Sequence, residues 1–529
     1  MEPSCGDGVF LDAAVRRFGQ LSSRGLTIAN NLTGVEIVAE EAAKARSRLS
    51  ARLGMCAADM VKTGDFFGWW QQNAQPVFDV IIGNPPFIRY QSFPEPHRSI
   101  AMAIMGELGL SPNRLTNIWM PFVAAAAAIL RPGGRLALVL PAELLQVSYA
   151  AQLRSFLTDR FARIDIVACN ELFFENAEQE VVLLLADGAL SQASETNVCC
   201  VTMTETATVA EITDRRPDLV LAESQPKTIR HDHEKWLKYF LTERQITFMR
   251  ELRDSTATTN MSTYANINVG VVTGKNEFFV LSSAQVAQLG LDGYTTPLVS
   301  RSVQLKGAQF GKADWKALAA ADARVHLLHI TSANSSKLTD ALLRYIHAGE
   351  EKVVHEGYKC SIREPWYAVP SVWNPDGFVF RQIHDFPRMV LNQAGATSTD
   401  TIHRLSCKAD NNPERVIANT YSWLTAASAE IEGRSYGGGV LELEPTEAER
   451  LLMPAMLNGA MSLAETDRLT RSGRLDDVLE ENARIVLMSY MGLSQTDCYL
   501  LHEIWTKMRN RRMARRRTGR HARVVGNSA

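Results

Sequence analysis

The sequence predicts an α/β fold: a Rossmann-like, mainly parallel sheet wrapped by helices, followed by a mixed α+β region. Three observations predict it. Strand-length apolar runs alternate with helix-length runs over the first 190 or so residues. A glycine-rich turn, Cys5-Gly-Asp-Gly8, opens the first helical run. A strand of buried character, Phe78-Asp-Val-Ile-Ile82, runs straight into Gly83-Asn-Pro-Pro-Phe87. Alternation of this kind gives a sheet covered by helices, and such sheets bind ligands at the carboxyl ends of their strands.

The elements follow in order. Val9 to Phe18 is helical after its glycine turn, Leu32 to Ile37 is a short strand, and an Ala-, Glu- and Arg-rich helix runs to about Leu53. Val77 to Ile82 is a strand. Trp119 to Leu130 is a buried, Ala-rich helix stopped by Arg131-Pro-Gly-Gly134. Leu136 to Leu140, Ile164 to Val167 and Val181 to Leu185 are strands, with a helix over Leu153 to Phe161. Beyond residue 190 the pattern weakens and polar residues rise. A boundary is expected near 225, so that 1–225 is one domain. Residues 226–455 are rich in Gly, Pro and aromatics, with strand-like runs at Glu277 to Leu281 and Gly377 to Phe380. Residues 456–505 are helical, and 506–529 form a basic, disordered tail.

A chain of 529 residues exceeds one ordinary domain. The formal net charge is only -2, but it is uneven: Lys507 to Arg523 holds nine Lys or Arg and no acid, leaving the rest at -11. So dense a positive run favours salt-sensitive phosphate contacts. The eight cysteines lack metal-ligand spacing, so no structural metal is expected and a reducing, cytoplasmic compartment fits. No run reaches the ~18 apolar residues of a membrane span, and with Met1 leading directly into Glu-Pro-Ser-Cys-Gly no signal peptide is expected.

Two motifs carry chemistry. In Glu2-Pro-Ser-Cys-Gly6-Asp-Gly8 two glycines allow a tight turn and close approach to a ligand. In Asn84-Pro85-Pro86-Phe87 two prolines stiffen the end of a buried strand. An exocyclic amine on an aromatic ring is a poor nucleophile, because its lone pair is conjugated. Two acceptors aimed at its hydrogens, the side-chain oxygen of Asn84 and the carbonyl of Pro85, would localise that lone pair. Phe87 offers a face on which a base can stack. Between the motifs, Glu36 ends a strand where ribose hydroxyls are commonly held, and Asp65 with Phe66 could hold an adenine amine beneath an aromatic ring.

Taken together, these residues resemble the amino-methyltransferases of DNA, especially the gamma-class adenine-N6 enzymes of type II restriction–modification systems. Glu2, Pro3, Cys5, Gly6 and Gly8 resemble their motif I, Glu36 motif II, Asp65 and Phe66 motif III, and Asn84 to Phe87 motif IV. Asn117 with Arg131-Pro-Gly-Gly134 is similar to motifs V and VI. Phe173 and Phe174 before Val181-Val-Leu-Leu-Leu185 are similar to motif VIII, whose aromatic helps to sandwich a flipped base. Asn268 to Asn276, Glu364 to Tyr367, Asn392 to Ala396 and Gly433 to Val440 are similar to segments of the target-recognition domain.

The resemblance implies a class I methyltransferase domain followed by that domain. It implies S-adenosyl-L-methionine as cofactor, double-stranded DNA as partner, a monomer, and room for a cognate restriction endonuclease. A flipped adenine would lie between Phe87 and Phe173 or Phe174, held by Asn84 and Pro85, with no covalent intermediate and no metal. Sequence would be read in the major groove, with Arg381, Arg388 and Arg404 as candidate readers. Cytosine-N4 enzymes share this chemistry but usually lead the motif with Ser or Asp, so Asn84 favours adenine.

The family places a further motif and a first strand ahead of motif I. The chain starts at Met1-Glu2-Pro3, so an N-terminally incomplete domain with a weakened cofactor site is expected. Two rival readings remain: a catalytically inactive DNA-binding remnant, and a methyltransferase acting on another amine, protein glutamine or RNA guanine N2. The second leaves some 300 residues after the catalytic domain without a role.

Overall fold

The computed structural model describes residues 1–21, 28–169, 180–194, 197–206, 208, 210–211, 225–230, 234–330, 338–436 and 438–525, with 436 and 515–525 as backbone only. The chain divides into two compact units, Met1–Glu243 with Arg517–Ala529, and Arg244–Arg516.

The principal elements of the first unit are α1 (Val9–Gln20), β1 (Gly34–Glu36), α2 (Ala39–Leu53), β2 (Val61–Thr63), α3 (Phe66–Asn73), β3 (Phe78–Gly83), α4 (His97–Glu107), α5 (Trp119–Ala128), β4 (Leu130–Pro141), α6 (Ala151–Thr158), β5 (Phe161–Cys169), β6 (Val181–Ala189) and β7 (Cys200–Thr206). The larger sheet has the order β3-β4-β6-β5-β7. Its β3–β4 and β5–β7 pairs are parallel, while β6 runs against both neighbours. A second, parallel pair joins β1 and β2.

The first two residues lie between these sheets. Met1 donates its ammonium to Val80 O at 2.8 Å and accepts from Ile82 N at 3.0 Å. Glu2 N donates to Thr33 O at 2.9 Å, and Glu2 O accepts from Val35 N at 3.0 Å. One short extended segment thus hydrogen-bonds to β3 on one side and to the β1 edge on the other. It sets the glycine turn that follows beside the end of β3.

Helix α5 is buried on every side from Trp119 to Ala127. Its alanines let neighbours approach closely, and Trp70 Nε1 reaches Ala125 O at 3.0 Å. The helix stops at Ala128, two residues earlier than expected, and Arg131-Pro-Gly-Gly134 lies inside β4 instead of forming a helix stop. The reason is an irregular register between β3 and β4 at Phe78 and Val80. Gly133 takes φ +79°, and a Cβ on Gly134 would stand 2.8 Å from Arg131 O. That is the geometry of a bulge, which suits glycine.

The second unit is built on a five-stranded sheet ordered Gln309–Phe310, Met389–Asn392, Gly377–Phe380, Ile402–Cys407, Ala265–Asn268. Gly377–Phe380, expected as a strand, is central and wholly buried. The run from Glu277 to Leu281 is not one strand. Asn276–Phe279 forms a helical turn, and only Val280–Leu281 is extended. Helices Leu463–Arg471 and Leu475–Asn482 follow, then a π-helix Ala483–Tyr490 and a long helix Gln495–Val525.

The expectation that 506 begins a disordered tail is corrected. Leu501, Ile504, Trp505, Met508 and Arg512 recur at helical spacing and are all buried. Arg512 pairs with buried Glu430 (Nη2 to Oε1, 2.6 Å) and donates to His384 O at 2.9 Å. Among the described residues, no helix is long and apolar enough to cross a membrane, and no cluster of His, Cys, Asp or Glu could hold a metal.

Candidate active site

The ends of β1 and β3 and the turn after Glu2 converge on a cavity of about 230 Å³. The turn contributes Pro3, Ser4 and Gly6, the end of β1 Glu36 and Ile37, and the start of α3 Gly64, Asp65 and Phe66. Asn84, Pro86 and Ile88 come from the segment after β3, and Phe93 and Phe122 complete the lining. Motifs up to 80 residues apart in sequence therefore share one wall.

Glu36 organises the polar side. It is buried, and its two carboxylate oxygens accept from Gly6 N and Val38 N, each at 2.8 Å. Those bonds tie the glycine turn to the end of β1 and leave lone pairs for hydroxyl donors, since a carboxylate accepts about four hydrogen bonds. Asp65 caps α3 by accepting from Gly68 N through Oδ2 at 2.8 Å. A side-chain acceptor is what a helix start requires, and this one fixes the acid's rotamer at the cavity. Phe66, the first residue of that helix, stacks on Phe122 with centroids 5.2 Å apart and an interplanar angle of 16°. Together they present a flat apolar surface suited to an aromatic heterocycle.

At the other end stands Asn84. Its Oδ1 is buried and has no hydrogen-bond partner among the described residues, while its backbone oxygen accepts from Ser4 Oγ at 3.4 Å. A buried carboxamide oxygen without a partner costs about 1–3 kcal/mol, which is expected of a group kept ready for a ligand. The following segment is held in place where Ile118 N donates to Ile88 O at 2.9 Å. Pro85 is buried. Phe87 is half-buried and does not line the cavity.

Three residues expected at the cofactor, Glu2, Cys5 and Gly8, stand behind the cavity rather than in it. Glu2 is 1% exposed, and burial pushes its carboxyl up to about 9. Cys5 packs into the cluster of Leu11, Ala42 and Val61, where burial pushes its thiol up to about 12. Gly8 has φ +82°, and a Cβ there would stand 2.9 Å from Ala45 Cβ, so it serves close packing against α2. Phe173 and Phe174 lie outside the described residues. Sequence reasoning missed Ser4, Ile37, Gly64, Ile88, Phe93 and Phe122. The last was legible only as core, because an Ala-rich apolar run carries no mark of which residue faces a cavity.

The arginines proposed as readers of base edges are occupied within the second unit. Arg404 is buried, stacks on Trp373 at 4.4 Å and donates to Val269 O and Ser371 O. Arg381 pairs with Glu442 and Glu444, each at 2.9 Å. Arg388 lies over Phe380 and donates to Lys306 O at 3.1 Å.

Two family models match the chain. That of the Eco57I restriction-modification methylase covers residues 30–173. That of the C-terminal domain of the type II methyltransferase M.Eco57I covers 233–487. The chain is similar to the type II methyltransferase M.AccI of Acinetobacter calcoaceticus, 22% identical over 71% of this chain and 69% of that protein. It is also similar to M.XamI of Xanthomonas campestris pv. amaranthicola, 21% identical over 87% of this chain and 81% of that protein. Among solved structures, the type IIL restriction-modification enzyme MmeI in complex with DNA shares the fold. Its TM-score is 0.56 at 14% identity, covering 96% of this chain and 73% of that one.

Proposed function

The chain belongs to the Eco57I-type family of type II restriction–modification methylases, and from that premise we propose that it methylates the N6 amine of an adenine turned out of duplex DNA. The methyl donor is S-adenosylmethionine, which supplies an electrophilic methyl on a sulfonium when bound. The cavity fits it: an acid at each of two strand ends, a glycine turn that admits close approach, and an apolar slab.

In this reading Glu36 holds the ribose hydroxyls and Asp65 the adenine amine. Phe66 and Phe122 cover that ring, and Pro3, Ser4 and Gly6 flank the amino-acid end. Asn84 Oδ1 and Pro85 O accept the two hydrogens of the target N6, pyramidalising it so that its lone pair points at the methyl. Phe87 stacks on the extruded base, which offsets part of the few kcal/mol spent on unstacking. After transfer the excess proton on N6 would pass to solvent, and no enzyme nucleophile is needed.

The orphaned Asn84 Oδ1 at the cavity wall carries the proposal. The test is transfer of radiolabelled methyl from S-adenosylmethionine to unmethylated genomic DNA, followed by nucleoside analysis. Label in N6-methyladenine, reduced at least about a hundredfold in Asn84→Ala with cofactor binding kept, is the expected result. Label in another nucleoside, or undiminished transfer by Asn84→Ala, would overturn it.

A further inference from the structure

A second cavity, of about 560 Å³, lies wholly within the second unit. Helix Pro413–Thr420 forms one side and the segment from Leu457 to Leu463 the other. Its chemistry differs from that of the active site. Three carboxamides, Asn412, Asn419 and Asn458, line it, and the charged residues are one acid and one base, Glu414 and Arg415.

Asn419 is 1% exposed. Its Nδ2 donates to Arg415 O at 2.9 Å, while its Oδ1 has no partner among the described residues. A buried acceptor left unsatisfied on a cavity wall points to a ligand that donates a hydrogen bond. Asn412 spends its Oδ1 capping the helix, accepting from Glu414 N at 2.9 Å and Arg415 N at 3.3 Å, and so offers its Nδ2 as a donor.

The remaining wall is aromatic. Tyr490 is the last residue of the π-helix Ala483–Tyr490. Such segments are rare and concentrate at functional sites. Its ring lies against Gly459, where a Cβ would stand 1.8 Å from Cε2 and φ is +81°, so only glycine seats it. The side chain is still about half exposed, which leaves ring surface available to a ligand.

We propose that this cavity binds a nucleobase. Tyr490 stacks on its face, Asn419 Oδ1 accepts from an amino or imino group on its edge, and Asn412 Nδ2 donates to a ring nitrogen or carbonyl. The near-neutral lining suits an uncharged heterocycle, and Arg415, exposed at the mouth, suits an attached phosphate. The base could belong to a free nucleotide or to an unstacked position of a DNA strand. The proposal does not depend on which atom the enzyme methylates.

The test uses the full chain and two fluorescent probes, 2-aminopurine deoxyribonucleoside monophosphate and a single-stranded oligonucleotide carrying one 2-aminopurine. Quenching on stacking is read without methyl transfer, so its outcome is separate from that of the adenine-N6 reading. Wild type and Tyr490→Phe should bind alike. Tyr490→Ala and Asn419→Leu, each shown to be folded by its unfolding transition, should bind about tenfold or more weakly. Loss with both probes marks a free-nucleotide site, and loss with the oligonucleotide alone marks a DNA base. Equal binding of both probes by wild type, Tyr490→Ala and Asn419→Leu would overturn the proposal.

Discussion

His97 Nδ1 stands 3.3 Å from Asp65 Oδ2. His97 is the first residue of α4, which follows the Asn84–Phe87 segment, and Asp65 is the acid at the start of α3. One contact therefore links the chain leaving the Asn84–Phe87 turn to the wall that would hold the cofactor's adenine. Phe93, between them in sequence, lines the same cavity and packs on Phe67.

Because Asp65 is already oriented by its cap bond to Gly68 N, His97 refines its placement without creating it. The contact does not meet hydrogen-bond geometry, since His97 Nδ1 has no hydrogen-bond partner among the described residues, so its worth is no more than about 1 kcal/mol. His97→Ala should therefore weaken S-adenosylmethionine binding up to about fivefold in calorimetry, and the unfolding midpoint should stay near that of wild type. Unchanged affinity would remove His97 from the site.

Asn117 gives a sharper case. It is 8% exposed, its Oδ1 has no partner among the described residues, and the next residue donates to Ile88 O just beyond the Asn84–Phe87 turn. If Oδ1 served only the fold, Asn117→Leu would be neutral or stabilising, since it removes an unsatisfied buried acceptor. The expected result is an unchanged or raised midpoint together with a fall in kcat/KM of about tenfold or more. A stabilised variant with full activity would show that Asn117 has no part in the reaction.

Glu2 makes the first unit sensitive to pH. Burial raises its carboxyl to about 9 in the folded chain, against about 4.5 in the unfolded one. The folded state thus keeps a proton that the unfolded state releases. Stability from this group is fully present below about pH 4.5 and is lost as pH rises toward 9, at no more than about 1.4 kcal/mol per pH unit. Glu2→Gln should match wild type near pH 4.5 and exceed it by about 2 kcal/mol or more at pH 8.5 in urea unfolding. Parallel curves for the two proteins across that range would contradict the assignment.

What the sequence made legible follows from how its signals are distributed. The places of Asn84 and Pro86 on the cavity wall could be read because strand and turn are contiguous, and those of Glu36 and Asp65 because each ends or starts an element at the expected place. Phe122 could not, since in Trp119–Ala128 every residue is apolar and no periodicity marks one face. Tyr490 could not, because its placement depends on π-helical winding and on Gly459, neither of which leaves a local pattern. The packed start of the C-terminal helix was hidden by its own charge. Nine basic residues between 507 and 523 obscure the spacing of Trp505, Met508 and Arg512 on one buried face.

That face ends in the ion pair of Arg512 with Glu430, 1% and 3% exposed respectively. Burial raises the Glu430 carboxyl while Arg512 opposes the shift. Both groups are removed from water, so the pair is worth little net, but losing one partner strands the other. Glu430→Ala should destabilise the second unit by roughly 3–5 kcal/mol, whereas Glu430→Leu with Arg512→Met should recover most of that loss. Denaturant unfolding of wild type, Glu430→Leu, Arg512→Met and the double completes the cycle. A double variant as unstable as the sum of the singles would mean that Arg512 is held by its bonds to His384 O and Gly439 O and not by Glu430.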